Sequence, residues 1–363
     1  MEFKIRQKEL IVVLEIGGLG DFVMATPALI SLRKHFPHNP ISLFVAQRSV
    51  TLAEDFSRNI LENPCDVISF HTTGNYLLRN LINLTKIKKV ARQNPGLLID
   101  LSAIESDAAA RRRITFINLF NSKITAGRNT DQRGVFFNLY SSETLFSKQH
   151  EVERKFQTLD QLGINGKPDK LEFYISGKSK KMIQNHINKL EIGNKILIGV
   201  NIGAYRPDRR WPIKNTIELI ERLQTLKNSH FLIFGGKNDA EFIKPILKSI
   251  NKSKITLIIG LPFQTVGAWL QQSKLLITND TGLMHFAAAL KVPIIALFGP
   301  ENPHRYAPWG NFPKLILKYY PEGENNFTKE NIFFPEAIYH IKPESVAEAA
   351  SAFIKTGTFT KTA

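Results

Sequence analysis

The chain has one cysteine, Cys65, among 363 residues. No disulfide can form within it, and a cysteine-built zinc or iron–sulfur site is excluded. Such scarcity favours a reducing cytosol. Long apolar runs are missing as well, and none approaches the roughly 18 residues of a membrane span. The opening MEFKIRQKEL leads into an apolar run too short for the core of a secretory leader, so none is expected. No G-x-G-x-x-G follows the first apolar run, and no clear acidic ribose partner follows a second. Hydride transfer on a dinucleotide is therefore excluded. Acidic residues are in short supply, 32 against 48 lysines and arginines, which leaves a net charge of +16. That balance points to an anionic partner: nucleic acid, a phosphorylated substrate or the negative inner leaflet of a membrane. RNP, helix-turn-helix and zinc-finger patterns are all absent, so nucleic acid is not expected.

What is present is a globular chain with room for two domains, 43% hydrophobic and with its charges interspersed. Leu10–Ile16 (LIVVLEI) reads as a buried strand feeding the turn Gly17-Gly18-Leu19-Gly20-Asp21 and a helix from Phe22 to His35. Further strands are expected at Ile41–Ala46, Asp66–Phe70 and Gly96–Leu101. Helices are expected at Tyr76–Arg92, Ser106–Phe120, which carries Arg111-Arg112-Arg113, and His150–Leu162. A loop holds Arg128, Asp131 and Arg133, guanidinium groups suited to phosphate or carboxylate. Ser176–Ser179 is the best linker. It divides the chain into a first domain over 1–177, a second over 178–340, and a final helix and tail over 341–363. The second half repeats the pattern: strands at Ile196–Asn201, His230–Phe234, Ile255–Ile259, Lys274–Thr278 and Val292–Phe298, separated by helices. Strand–loop–helix repetition in both halves predicts two doubly wound α/β domains with a cleft between them.

Three places carry chemistry. Asp21 stands at a strand-to-helix turn, where parallel sheets place ligands. It reads either as a first-turn carboxylate favoured by the helix dipole or as a general base. The loop Ala204–Pro212 (AYRPDRRWP) concentrates Arg206, Arg209 and Arg210 beside Trp211, and suits a diphosphate. Asn279-Asp280-Thr281-Gly282 opens a small-residue helix, and such an N-terminus is an anion site or an ordinary cap.

Taken in order, five segments resemble glycosyltransferase family 9, the lipopolysaccharide heptosyltransferases. They are GGLGDFVMATPAL (Gly17–Leu29), HEVERKFQTLDQLGI (His150–Ile164), GVNIGAYRPDRRWP (Gly199–Pro212), FGG with its following acids (Phe234–Glu241) and NDTGLMHFAAAL…PIIALFGP (Asn279–Pro300). The resemblance implies a GT-B fold of two Rossmann-like domains, the first taking the acceptor and the second a nucleotide sugar. ADP-heptose is the implied co-substrate, with no other cofactor. The implied acceptor is an anionic glycolipid, the lipopolysaccharide core or lipid A carrying Kdo. Transfer would invert the anomeric centre without a metal; no two aspartates stand two apart, so the Asp-x-Asp metal motif is missing. Asp21 matches the family's proposed base. Asp280, Thr281, Gly282 and His285 match its donor loop, and Asn201 and Arg209 lie in its third segment. Arg209 takes the place of a common lysine. Asp239 or Glu241 falls near the acid that holds the ribose; Gly18 and Gly20, in the first segment, and the loop arginines Arg128 and Arg133, read from their guanidinium chemistry, are the expected acceptor contacts. The final helix would pack back on the first domain. A cytoplasmic enzyme, with peripheral contact to the inner membrane surface, fits this picture. The alternatives are a family member using another nucleotide sugar or a protein acceptor, and a non-catalytic nucleotide-sugar or polyanion binder.

Overall fold

The structure, a computed structural model, describes residues 5–70, 84–145, 147–320, 334 and 336–359. The chain divides into two compact units, Met1–Glu172 and Phe173–Ala363.

The first unit is built on six parallel strands: β1 (Ile11–Glu15), β2 (Ile41–Ala46), β3 (Asp66–Phe70), β4 (Leu97–Asp100), β5 (Ile124–Thr130) and β6 (Leu139–Glu143). They lie in the order β3-β2-β1-β4-β5-β6. The described helices are α1 (Leu19–His35), α2 (Val50–Asn59), α3 (Leu84–Ala91), α4 (Asp107–Asn118) and α5 (Glu151–Asp160). β1, β2 and β4 are buried at every residue, as central parallel strands covered on both faces must be, and this explains their unbroken apolar runs. The first part of the helix expected over Tyr76–Arg92 lies outside the described residues.

The second unit repeats the plan with β7 (Ile196–Asn201), β8 (Ser229–Gly235), β9 (Ile255–Ile259), β10 (Leu275–Asn279), β11 (Ile294–Phe298) and β12 (Lys314–Lys318). All pair in parallel, in the order β12-β11-β10-β7-β8-β9. Its helices are α6 (Gly177–Lys189), α7 (Ile213–Leu223), α8 (Ile243–Ser249), α9 (Phe263–Leu270), α10 (Gly282–Ala289), α11 (Pro303–Tyr306) and α12 (Pro343–Thr356). Within each unit the first and fourth strands are neighbours and the winding reverses between them. Ligands of such sheets bind beyond the strand ends at that reversal. β1 and β4 mark this point in the first unit, β7 and β10 in the second.

Two expectations change. Arg128 lies on β5, not in a loop; the strand was missed because ITAGRNT has little apolar character. Ser176 is no linker: its hydroxyl caps α6 by accepting from the Ser179 N–H at 3.2 Å. Its own N–H donates to Gln264 of α9 at 3.2 Å, and Phe173 and Ile175 are buried, which ties this segment to the second unit. The final helix, α12, packs on α7 of the second unit. Val346, Ala347, Ala350 and Phe353 form one apolar stripe, buried with Leu219, Ile220 and Leu223 in that unit's core. Trp211 Nε1 donates to the Ile341 carbonyl at 3.0 Å just before the helix starts.

Candidate active-site residues of the two units

In the first unit, Asp21 is the third residue of α1. Its Oδ2 accepts the Gly18 N–H at 2.7 Å, a one-way carboxylate cap just beyond the end of β1. Gly17 must be glycine, since a methyl group there would lie 2.5 Å from Asp21 Cβ. Gly20 is the second helical residue. Asp21 therefore satisfies the capping reading, and its Oδ1 has no partner among the described residues.

Beneath this turn lies a buried set of charges that sequence reasoning missed. Glu15 ends β1 and is fully buried. One carboxylate oxygen takes Lys155 Nζ at 2.6 Å and the other faces the Gly17 N–H at 3.4 Å. Lys155 also donates to the Leu101 carbonyl at 3.1 Å. Arg128 is 0% exposed and spends its whole fork inside the protein. It pairs with Glu143 at 2.8 Å, with Glu151, and with the Leu101 carbonyl at 3.2 Å. Burial pushes the Glu15 carboxyl up; Lys155 pulls it back and Asp21 adds to the rise. The acceptor role expected of Arg128 is thus corrected, because a guanidinium buried to 0% exposure cannot reach a substrate. Arg133 does remain partly exposed, held by Asp107 at 2.9 Å and Asp131 at 3.4 Å. The Arg111–Arg113 run splits: Arg111 and Arg112 are exposed, and Arg113 is buried against Asp100. A signal for the buried set was present, since Glu15 is the one charge in LIVVLEI.

In the second unit, Asn201 closes β7 and Asn279 closes β10. Asn201 Nδ2 donates to Thr278 Oγ1 at 3.0 Å and to Thr281 Oγ1 at 3.1 Å. Asn279 Nδ2 donates to the Gly203 carbonyl at 3.0 Å, and its Oδ1 accepts from the Trp211 N–H at 3.2 Å. These two amides lace the loop 202–212 to the Asp280-Thr281-Gly282 turn. Thr281 is the N-cap of α10, yet its hydroxyl makes no cap hydrogen bond; it accepts from Asn201 instead. The first-turn N–H groups of α10, starting with Gly282, are left without a side-chain cap, and His285 lies buried one turn further on.

Arg209 reaches this turn. Its Nη1 lies 3.2 Å from Asp280 Oδ2 and its Nη2 pairs with Glu301. Burial works against its charge, but Asp280 and Glu301 more than offset this and hold it above the usual arginine range. Arg206 pairs with the same Glu301 at 2.9 Å and with Asp208. Lys318, at the end of β12, donates to the Gly299 and Glu301 carbonyls at 2.8 Å each. Its ammonium is pushed down to about 8 by burial, against the pull of Glu301 and Asp280. Glu301 and Lys318 were also missed from sequence. The two candidate ribose acids differ. Asp239 is buried and engaged by the Gly236 N–H at 2.8 Å and Arg210 at 3.2 Å, whereas Glu241 is exposed. Arg210 lies over the Phe242 ring, 4.4 Å from its centroid. Among the described residues no helix is long and apolar enough to cross a membrane, and no group of three or more His, Cys, Asp or Glu side chains is placed to hold a metal ion.

Residues 115–333, more than half of the chain, match glycosyltransferase family 9 (heptosyltransferase). A lipooligosaccharide heptosyltransferase 2 of Campylobacter jejuni subsp. jejuni serotype O:2 is 28% identical, covering 93% of this chain and 96% of that protein. Among solved structures, a family 9 glycosyltransferase of Veillonella parvula superposes with a TM-score of 0.75 at 24% identity, covering 97% of this chain and 99% of that one. The E. coli ADP-heptose LPS heptosyltransferase II superposes with a TM-score of 0.69 at 19% identity, over 96% and 99%. The two doubly wound sheets make the GT-B fold, which the E. coli heptosyltransferase shares. The chain belongs to glycosyltransferase family 9 and is a glycosyltransferase.

Proposed function

We propose that this enzyme moves a heptose from ADP-heptose onto the core of lipopolysaccharide or onto lipid A carrying Kdo. The names of its relatives supply the sugar and the acceptor class. One observation carries the donor half: Asn201, Arg209, Asp280 and the uncapped start of α10 converge beyond the ends of β7 and β10. There the N–H groups of Thr281 and Gly282 take the diphosphate, helped by the positive end of the helix dipole. Arg209 offsets the charge that grows on the departing nucleotide. Lys318 adds a second cation nearby, so a metal has no required role in the chemical step. Asn201 and Asp280 hold the turn in shape, and His285 backs it. Glu241 holds the ribose, since Asp239 is committed to Gly236 and Arg210.

The attacking hydroxyl must lose its proton as the bond to the anomeric carbon forms. Asp21 takes it: one oxygen is fixed by the Gly18 N–H and the other is open to a substrate. A single displacement of this kind inverts the anomeric centre. Gly18 and Gly20 let the acceptor approach the turn, and Arg133 offers it a cation. The excess of positive charge favours contact with the anionic inner leaflet, where such an acceptor lies.

The test is turnover of ADP-heptose by the full chain with heptose-deficient lipopolysaccharide. Expected are ADP release, a heptosylated acceptor whose new linkage has the opposite anomeric configuration to the donor, and no change in rate with excess EDTA. Turnover with a different nucleotide sugar alone would overturn the donor assignment. Loss of activity with EDTA would overturn the metal-free step.

A further inference from the structure

Glu301 occupies an unusual position for a side chain beside a phosphate-binding turn. Its Oε1 receives Arg206 Nη1 at 2.9 Å and also Arg209 Nη2. The second guanidinium arm of Arg209 goes to Asp280 Oδ2 at 3.2 Å. A single anionic oxygen set between two guanidinium groups is the arrangement that a phosphate oxygen would adopt there, because carboxylate and phosphate present the same acceptor geometry to an arginine fork. The loop that carries Glu301 is fixed from behind. Lys318 holds the Gly299 and Glu301 carbonyls at 2.8 Å. Gly299 lies so close to the arginine loop that a methyl group on it would stand 2.7 Å from the Asp208 carbonyl. The Asn302 side chain accepts from the His304 N–H at 2.9 Å. The backbone is thus pinned, and the part of Glu301 that can move is its side chain. Arg206 is open to water at 47% side-chain exposure and Arg209 at 26%, while Glu301 between them is 13% exposed. Water at the arginine side of these pairs lets a guanidinium change partners without being stranded, which the fully buried pairs of the first unit do not allow.

We propose that Glu301 is an internal stand-in for the diphosphate of the nucleotide sugar. It holds Arg206 and Arg209 together and yields them when a nucleoside diphosphate binds. This rests on the reading that the arginine loop and the start of α10 take the diphosphate. The exchange has two consequences. Both arginines are ordered before binding, so less side-chain entropy is lost when the nucleotide arrives. The carboxylate also competes with the nucleotide and repels it, which weakens the hold on the ADP product and favours its release. Arg206 becomes a donor-site residue through the same contact.

The experiment titrates the full-length protein with ADP by calorimetry, with adenosine as the uncharged control. It compares wild type, Glu301→Gln, Glu301→Ala and Arg209→Ala. Glu301→Gln keeps an acceptor for both arginines and removes the competing charge, so ADP should bind about 3- to 10-fold tighter while adenosine is unaffected. Glu301→Ala removes the holding contact too, and should gain less than Glu301→Gln. Weaker ADP binding in both Glu301 variants, with melting temperatures unchanged, would make Glu301 a support and overturn the exchange. Unchanged ADP binding in both would do the same. Arg209→Ala separates the two levels: if it leaves ADP affinity untouched, the diphosphate reading itself fails; if it weakens ADP while Glu301→Gln does not tighten it, only the exchange fails.

Discussion

Each unit carries a chain of alternating charges at the reversal point of its sheet, and the two chains differ in burial. Under the Gly17 turn, Glu15, Lys155, Glu151, Arg128 and Glu143 are closed off from water and bonded to one another or to the Leu101 carbonyl. Beside the Thr281 turn, Arg206, Glu301, Arg209 and Asp280 run in a line whose outer end is open to solvent. Desolvated charges cannot be given up without leaving a partner stranded, so the first chain is architecture. A chain that reaches water at its arginine end can trade a partner for a ligand's charge, so the second is suited to binding. Residue type alone does not separate the cases. Arg128 and Arg209 are both arginines within two carboxylates' reach, and only the geometry says which can meet a substrate.

The largest expected effect is at the rim of the buried chain. Asp21→Asn keeps the size of the side chain and removes the base, so turnover should fall by about 100- to 10,000-fold with ADP affinity held. Near-normal turnover would leave Asp21 as a helix cap only. Inside the chain, Arg128→Met strands two buried carboxylates and should cost about 3–5 kcal/mol in urea unfolding, part of which Glu151→Gln in the same protein restores. A loss below about 1 kcal/mol would mean that water or relaxation reaches this set, and the contrast between the units would weaken. The smallest effect sharpens the other side. Lys318 has its ammonium pushed down to about 8, and only its protonated form attracts a diphosphate. ADP affinity should therefore be highest below that pH and decline by up to roughly tenfold as the pH rises through it, while Lys318→Met flattens the profile. Arg209, held above the usual arginine range, stays charged throughout and adds no slope.

Much of the fold was legible. Strand-by-strand apolar runs marked β1, β2, β7, β10 and β11 because central parallel strands are buried on both faces. β5, β6 and β12 escaped because edge and near-edge strands mix polar residues into the pattern: ITAGRNT, LYSSE and KLILK. The donor turn was visible as Asn-Asp-Thr-Gly before a small-residue helix. The roles of Arg128, Glu15, Glu301 and Lys318 were not, because each depends on which distant side chain lies across from it. Lys155 is far from Glu15 in sequence, and the two meet only once β1 and α5 have packed. Ser176 misled for a related reason: serine before a helix reads equally as linker or cap, and the hydrogen bond to Ser179 decides it.

The central claim is that the exposed charge chain of the second unit takes a nucleoside diphosphate. Calorimetric titration of ADP into Arg209→Ala tests it most directly, with urea unfolding of the same variant alongside. The account predicts ADP binding about 10- to 100-fold weaker than wild type and stability little changed, the reverse of the pattern at Arg128. Unaltered ADP affinity combined with a large loss of stability would contradict it, and would place Arg209 with the buried, structural charges instead.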